Sequence, residues 1–173
     1  MFEQKDHAVA DAEMTREDRI VILKRQEAMA LFPSFNEEAA FDLGSLIYGI
    51  ARSKRSPVVV NIRTSDRALF HAAMPGATPD NDEWVRRKSN LVLRYHQSSM
   101  LFGDTLAIKG RQINPDMGID YPDYAAHGGS FPLRVRDAGV IGAITVSGLP
   151  QLDDHAMIIE GLTQYLKIDL PHF

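Results

Sequence analysis

The chain has 173 residues, enough for one domain with a substantial core, and its 45% hydrophobic and 24% charged residues are typical of a globular protein. A formal net charge of −4 disfavours nucleic acid or an anionic membrane as the main partner. The absence of cysteine excludes thiol catalysis, disulfides and cysteine-ligated zinc.

We expect no secretory signal at the start of the chain. Residues 1–14 are polar and alanine-rich, without the apolar segment of a secretory leader. No apolar stretch approaches the ~20 residues that span a bilayer. We therefore expect a flexible N-terminal arm over 1–14, a single domain over 15–173, a cytoplasmic location and no membrane partner.

The first third of the domain is predicted to hold two helices with a short strand between them. Residues 15–18 match a capping box that begins a helix over 15–25. Residues 27–32 are too short for periodicity to separate helix from strand, and we favour a strand. A second capping box at 34–37 and an apolar stripe at helical spacing predict a helix over 34–53.

A hairpin and two helices are predicted next. The β-branched run 57–63 and the segment 68–74, joined by a polar turn, favour paired strands. Residues 80–95 favour a helix, and 98–108 a second helix or its continuation. Residues 109–127 mix Gly, Pro, Asn, Asp and Tyr, which is typical of a long loop, and long loops in compact domains are often functional.

A second hairpin and a closing helix complete the chain. Strands over 131–136 and 140–147 are joined by a turn at 137–139. The second of these strands is almost wholly apolar, which predicts a central position covered on both faces. A helix over 152–167 precedes the tail 170–173, and its inward residues are predicted to be Leu152, Ile159, Leu162 and Leu166. This element order predicts an α/β layered sandwich with a five-stranded, mostly antiparallel sheet.

The glycine-rich segments 127–133 and 139–149, followed by 153–155, resemble the haem-degrading domain superfamily of HbpS-like and GlcG-like proteins. The likeness is greater to the UPF0303 branch, with support from 84–88 and 41–44. The resemblance implies a profilin-like fold and ring-like homo-oligomers, and it implies that haem or iron binding is possible, since some relatives bind them. Haem is therefore a candidate cofactor by resemblance alone, and no position matches a haem ligand of the family.

The candidate catalytic residues surround the glycine pair. Gly128 and Gly129 could form a backbone nest for an anion, or serve only a tight strand entry. His127 could ligate a metal or haem or move protons, or be a surface histidine. Asp154 and His155 form a candidate carboxylate–imidazole pair, whereas the adjacent Asp153 is explained as a helix cap.

The candidate ligand-binding residues include a basic helix face. Arg87 and Arg94 are two turns apart and could bind a carboxylate or phosphate, while Lys88 could snorkel or pair with a carboxylate. The alternative is a solvated face or a subunit salt bridge. Ser98 is either a ligand contact or a helix cap, and Ser147 ends the strand nearest the expected pocket.

The chain lacks the signature motifs of hydrolases, zinc proteases and nucleotide-binding proteins. A metal site would need long-range assembly of His71, His96, His127 or His155, so the metal remains undefined at this level. We expect a homo-oligomer that binds a small anionic ligand, haem or a small carboxylate. Its pocket should lie between the 127–129 loop, the 147–148 strand end and the 84–99 helix. The alternative is a non-catalytic scaffold or protein-interaction module.

Overall fold

The computed structural model describes residues 14–173, which form a five-stranded sheet with helices on both faces. The predicted arm lies outside the described residues apart from Met14. The helices are α1 (Arg16–Met29), α2 (Glu37–Ser53), α3 (Pro79–Tyr95), α4 (Ser99–Ile108) and α5 (Gln151–Leu166). The strands are β1 (Leu31–Phe32), β2 (Val59–Arg63), β3 (Ala68–Ala73), β4 (Ser130–Val135) and β5 (Gly139–Ser147).

The sheet has the strand order β1-β4-β5-β2-β3. Three of its four pairings are antiparallel, and only β1 and β4 run parallel. This confirms the predicted profilin-like α/β sandwich with a mostly antiparallel sheet. Strand β5 is central, as its apolar sequence indicates.

The two faces of the sheet differ in polarity because alternate residues of each strand point to opposite sides. One face packs against α2 and α5 and is apolar, with Val60, Ile144 and Val146 fully buried in the main core. On the other face, under α3, the residues directly opposite one another across four strands are polar: Ser130, Thr145, Asn61 and His71. Helix α3 therefore covers a polar surface that is buried at Ser130, Thr145 and Asn61 and exposed at His71 on the edge strand.

Hydrogen bonds satisfy most of this polar row, as buried polar groups require. The hydroxyls of Ser130 and Thr145 lie 2.7 Å apart. Asn61 Nδ2 lies 3.1 Å from His71 Nδ1, and His71 Nε2 lies 3.0 Å from Asp82 on α3. Within the described residues, Asn61 Oδ1 is buried without a partner.

The strand predicted over 27–32 is mostly wrong, because α1 continues to Met29 and leaves only Leu31–Phe32 as β1. The side chains of Gln26 and Glu27 are buried at the end of α1. Gln26 Nε2 donates to Pro171 O (2.7 Å), and Glu27 Oε1 accepts the Ser98 N–H (2.7 Å). Pro171 and Ser98 are distant from α1 in the sequence. Their hydrogen bonds stabilise the last turn of the helix, where the local sequence does not distinguish helix from strand.

Two smaller expectations are corrected. Helix α2 is capped by Asn36, which accepts the Ala39 N–H, rather than by the predicted box at 34–37. Leu152 is 42% exposed instead of facing inward. The loop 109–127 contains a short 3-10 helix at Pro115–Met117. No helix in the described range 14–173 is both long and apolar enough to cross a membrane.

Candidate functional site

A cavity of about 250 Å³ lies where α3, the end of β5 and the start of α5 meet. It occupies the place expected from the sequence, between the 127–129 loop, the end of β5 and α3. Its lining residues are Asn81, Trp84, Lys88, His127, Ser147, Gly148, Leu149, Gln151 and Asp154.

A buried ion pair forms the inner wall of the cavity. Lys88 Nζ lies 2.9 Å from Asp154 Oδ2, and the two side chains are only 4% and 2% exposed. Lys88 Nζ also lies 3.4 Å from Val146 O and from Ser147 Oγ. The second Asp154 oxygen accepts the Leu149 N–H at 2.9 Å. Of the two roles open to Lys88, pairing with a carboxylate is therefore the observed one.

Burial shifts both members of this pair toward their neutral forms. It lowers the pKa of Lys88, and Asp154 opposes that change. It raises the pKa of Asp154, against the effect of Lys88 and of the N–H groups that Asp154 accepts. Both pKa shifts favour the neutral forms of the two side chains. Proton transfer from Lys88 to Asp154 therefore costs less free energy here than it would at the protein surface.

The two glycines make room for this pair and for the loop. A Cβ on Gly129, whose φ is +113°, would lie 2.8 Å from Lys88 Nζ and 2.5 Å from Val146 O. The Gly128 N–H donates to Gln151 Oε1 at 3.1 Å, so that amide is not free for an anion. The glycine pair therefore does not present the open two-amide nest that the sequence suggested.

The rings of Trp84 and His127 form the rim of the cavity, with the cationic Arg87 beside Trp84. The rings of His127 and Trp84 meet edge-on with centroids 5.1 Å apart, and Arg87 Cζ lies 4.7 Å from the Trp84 centroid. Partial burial lowers the pKa of His127, and Lys88 and Arg87 lower it further. All three effects favour the neutral form of the imidazole.

Two amide side chains in the lining were missed by the sequence reasoning. Asn81 Oδ1 accepts the Thr78 N–H at 2.8 Å, and Gln151 Oε1 accepts the Gly128 N–H. Each side-chain oxygen already accepts a backbone hydrogen bond. Neither NH₂ group has a hydrogen-bond partner among residues 14–173, so both remain available as donors. The one sequence signal was their position in the first turn of a helix, which by itself indicates only capping.

Two of the predicted ligand-binding residues lie away from the cavity. Arg94 Cζ lies 5.9 Å from the Tyr95 ring centroid, and Arg94 lines a different surface depression. Ser98 is fully buried and caps α4, since its Oγ accepts the Leu101 N–H at 3.2 Å. Of the basic face, only Lys88 lines the cavity. Arg87 stacks on Trp84 outside the lining, and its Nε donates to Tyr121 O at 2.8 Å.

His155 and Asp154 do not form a pair, because neighbouring residues of α5 point in different directions. His155 is fully buried, and its Nε2 donates to Gln26 Oε1 at 2.8 Å. Its ring stacks on Phe173 with centroids 5.5 Å apart. Burial lowers the pKa of His155 to about 3. The tail 170–173 thus packs against α1 and α5.

The first turn of α5 is also capped differently from the prediction. The cap position is Pro150, and Asp154 rather than Asp153 accepts a backbone N–H there. Nor do the histidines assemble across the fold: within residues 14–173, no group of three or more His, Cys, Asp or Glu is placed to hold a metal ion.

Comparisons with known proteins support the resemblance. A family model described as haem degrading protein HbpS-like matches residues 35–163. A UPF0303 protein of Acidobacterium capsulatum is 42% identical over 156 residues, covering 90% of this chain and 94% of that protein. One from Streptomyces coelicolor is 44% identical over 144 residues, covering 83% and 91%. The chain belongs to the UPF0303 branch of the HbpS-like family.

Solved structures place the HbpS-like family on the same fold. The Ybr137w protein superposes with a TM-score of 0.78 at 28% identity and covers 90% of each chain. HbpS itself gives 0.61 at 19% identity, covering 76% of this chain and 89% of that one. A PduOC:heme complex gives 0.62 at 19% identity, covering 83% and 100%. At such low identity, the last two neighbours establish the fold and not the site.

Proposed function

We propose that this protein binds a small carboxylate in the cavity between α3, β5 and α5. The observation that carries the proposal is the pair of amides, Asn81 and Gln151, whose oxygens are tied to backbone N–H groups and whose NH₂ groups remain as donors. Carboxylates accept such hydrogen bonds, and Arg87 at the rim adds positive charge.

Electrostatics support an anion over a cation or a neutral ligand. The pKa of His127 is lowered by burial and then by the charges of Lys88 and Arg87, so an anion beside His127 would meet the attractive potential of these two cations. A carboxylate entering beside His127 meets this potential in a partly enclosed space, where charge interactions exceed those in bulk water.

The size of the cavity favours a small ligand. Pockets that enclose drug-sized molecules are about 300–1,000 Å³, whereas this one is about 250 Å³. A carboxylic acid of a few carbon atoms fits this volume. Haem would have to lie largely outside it.

The binding test uses a built-in reporter. Trp84 lines the cavity and is the single tryptophan of the chain, so its fluorescence reports ligand entry. Titration with acetate, propionate, lactate and pyruvate should give saturable changes for at least one acid. Flat titrations with all four acids would rule out small-carboxylate binding.

Isosteric variants locate the binding groups. Asn81→Asp and Gln151→Glu keep the oxygen that accepts the backbone N–H but replace the donor NH₂ by a negative oxygen. We expect each to weaken binding at least about tenfold, the loss that about 1.4 kcal/mol produces. Gln164→Glu makes the same charge change on the exposed side of α5, ~20 Å along the helix from Gln151, and should leave binding unchanged. Equal losses in all three variants would contradict the assignment.

Haem is the second candidate, favoured by the PduOC:heme neighbour and by the neutral His127 at the rim. Haem titration followed by Soret absorbance tests it. A Soret shift that is lost in His127→Ala would support haem bound through His127. The absence of a shift, or a shift that His127→Ala leaves intact, would contradict that mode.

We also propose that residues 15–173 act as one cytoplasmic domain that self-associates. Phe41 on α2 is 63% exposed and lies 6.2 Å from the Phe70 ring on β3, an edge strand of the described sheet. A second copy is the occupant that can continue the sheet along this edge. Light scattering should show an oligomer that Phe41→Glu weakens, and a monomeric wild type would contradict this. If the cavity binds nothing and the oligomer persists, the scaffold alternative is favoured.

A further inference from the structure

We propose that Lys88 condenses with the keto group of a small 2-oxo acid to form an imine in the cavity. This rests on the proposed carboxylate binding and adds to it the substrate class and a covalent step. Lys88 would act as the nucleophile and Asp154 as the proton donor and acceptor.

The position of the amine supports this chemistry. Lys88 lines the cavity although its side chain is only 4% exposed, so a ligand that reaches the inner wall lies beside this residue. The amide groups of Asn81 and Gln151 are available to hold the carboxylate of the same ligand. A 2-oxo acid carries both groups on adjacent carbons, and it is small enough for this volume.

The acid required for the reaction is already in place. Asp154 Oδ2 lies 2.9 Å from Nζ, so it can take a proton from the ammonium group and free the lone pair. Burial lowers the pKa of Lys88 and raises that of Asp154, which favours this transfer. Activation of a lysine by desolvation is an established route to a nucleophilic amine.

The condensation balances without another reactant. The free amine attacks the carbonyl carbon, a C–N bond forms, and Asp154 returns its proton to the carbonyl oxygen to give a carbinolamine. Asp154 then takes a proton from nitrogen and delivers it to the hydroxyl, the C–O bond breaks, and water leaves. The product is a protonated imine on Lys88 beside an ionised Asp154, so the ion pair is regenerated.

Stability alone does not explain the ion pair. Replacing a buried ion pair by apolar residues is often neutral or stabilising, because desolvation offsets the attraction between the charges. The pair also adds to the crowding at Gly129, where a Cβ would lie 2.5 Å from Val146 O and 2.8 Å from Lys88 Nζ. A chemical role for the amine accounts for a buried pair that stability does not require.

The test is borohydride reduction of the full-length protein with pyruvate, followed by peptide mapping by mass spectrometry. We expect the reduced pyruvate adduct on Lys88 at least about tenfold above any exposed lysine, because burial lowers the pKa of Lys88 and Asp154 lies within reach as an acid–base group. Lys54, an exposed lysine that directly follows the end of α2, serves as the internal comparison. Lactate, which lacks the keto group, should give no adduct.

Two variants sharpen the result. Lys88→Arg keeps a cation beside Asp154 but cannot form an imine, so the adduct should disappear. Asp154→Asn should slow adduct formation at least about tenfold, the loss expected for a missing acid–base group. The wild-type peptide map decides the question even if a variant does not fold. Saturable lactate and pyruvate binding without an adduct on Lys88 overturns the imine and leaves carboxylate binding intact. If neither acid binds, both proposals fail.

Discussion

At the scale of single residues, Gly129 provides the space on which the candidate site depends. We expect Gly129→Ala to lower the free energy of unfolding by about 3–5 kcal/mol, since its Cβ would collide with the backbone at Val146 O as well as with Lys88 Nζ and Asp154 Cβ, and would disrupt the buried pair. Gly139→Ala is the matched control, because φ is also positive there (+77°) but the space around it is open. Its cost should be about 1–2 kcal/mol, the cost of the backbone conformation alone. Chemical denaturation measures both, and equal costs would contradict the steric explanation.

Local sequence picked out residues that line the cavity better than it picked out the contacts between them. Lys88, His127, Ser147 and Asp154 were all singled out, and all line the cavity. The error was to join Asp154 to His155, its neighbour in the chain. Its observed partner is Lys88, which lies 66 residues earlier on another helix. Adjacency in sequence therefore misled where the fold supplies the contact.

At the scale of elements, the Lys88–Asp154 pair ties α3 to α5 across the end of β5. Lys88→Met should destabilise the protein by about 3–5 kcal/mol, because Asp154 is left buried without its cation. Adding Asp154→Asn removes the uncompensated charge, and Asn Oδ1 can still accept the Leu149 N–H. We therefore expect the double variant to be more stable than Lys88→Met alone. Additive losses in a double-mutant cycle would show that the two side chains are not coupled.

The elements themselves were predictable wherever a local pattern decides. Both hairpins, α3, α4 and α5 lie within a residue or two of their predicted bounds. The exception is the end of α1, where Gln26 and Glu27 bond to Pro171 and Ser98. Periodicity in six residues contains no information about such distant partners, so the strand prediction failed there.

At the scale of the whole molecule, the sheet separates an apolar core from a polar interior. The alternation that places Val60 and Val146 against α2 and α5 places Asn61 and Ser147 on the α3 side. The apolar sequence of β5 predicts that both of its faces are covered. It does not predict that α3 would place a lysine near serine, threonine and asparagine side chains of the sheet. A cavity with polar walls forms at one end of this second layer.

The buried His155 makes the stability of the whole fold depend on pH. In the unfolded chain its pKa is about 6.5, whereas burial lowers it to about 3 in the folded protein, where Asp104 and Arg19 act in opposite directions. The unfolded state therefore binds the additional proton between these values. The stabilising contribution is complete above the unfolded pKa and is lost as pH falls toward 3. The loss is about 1.4 kcal/mol per pH unit, or about 2 kcal/mol at about pH 5.

The difference between wild type and His155→Gln isolates this effect. Gln can donate to Gln26 Oε1 but does not titrate, so groups common to both proteins, including His127 and Asp154, cancel in the comparison. The stability gap between the two proteins should narrow by about 2 kcal/mol between about pH 7 and pH 5 in urea unfolding. His96→Asn, at an exposed left-handed position that Asn tolerates, is the control and should run parallel to wild type. If the His155→Gln curve also runs parallel, His155 takes up its proton without unfolding, and the burial of its ring by α1, α5 and Phe173 is looser than the contacts indicate.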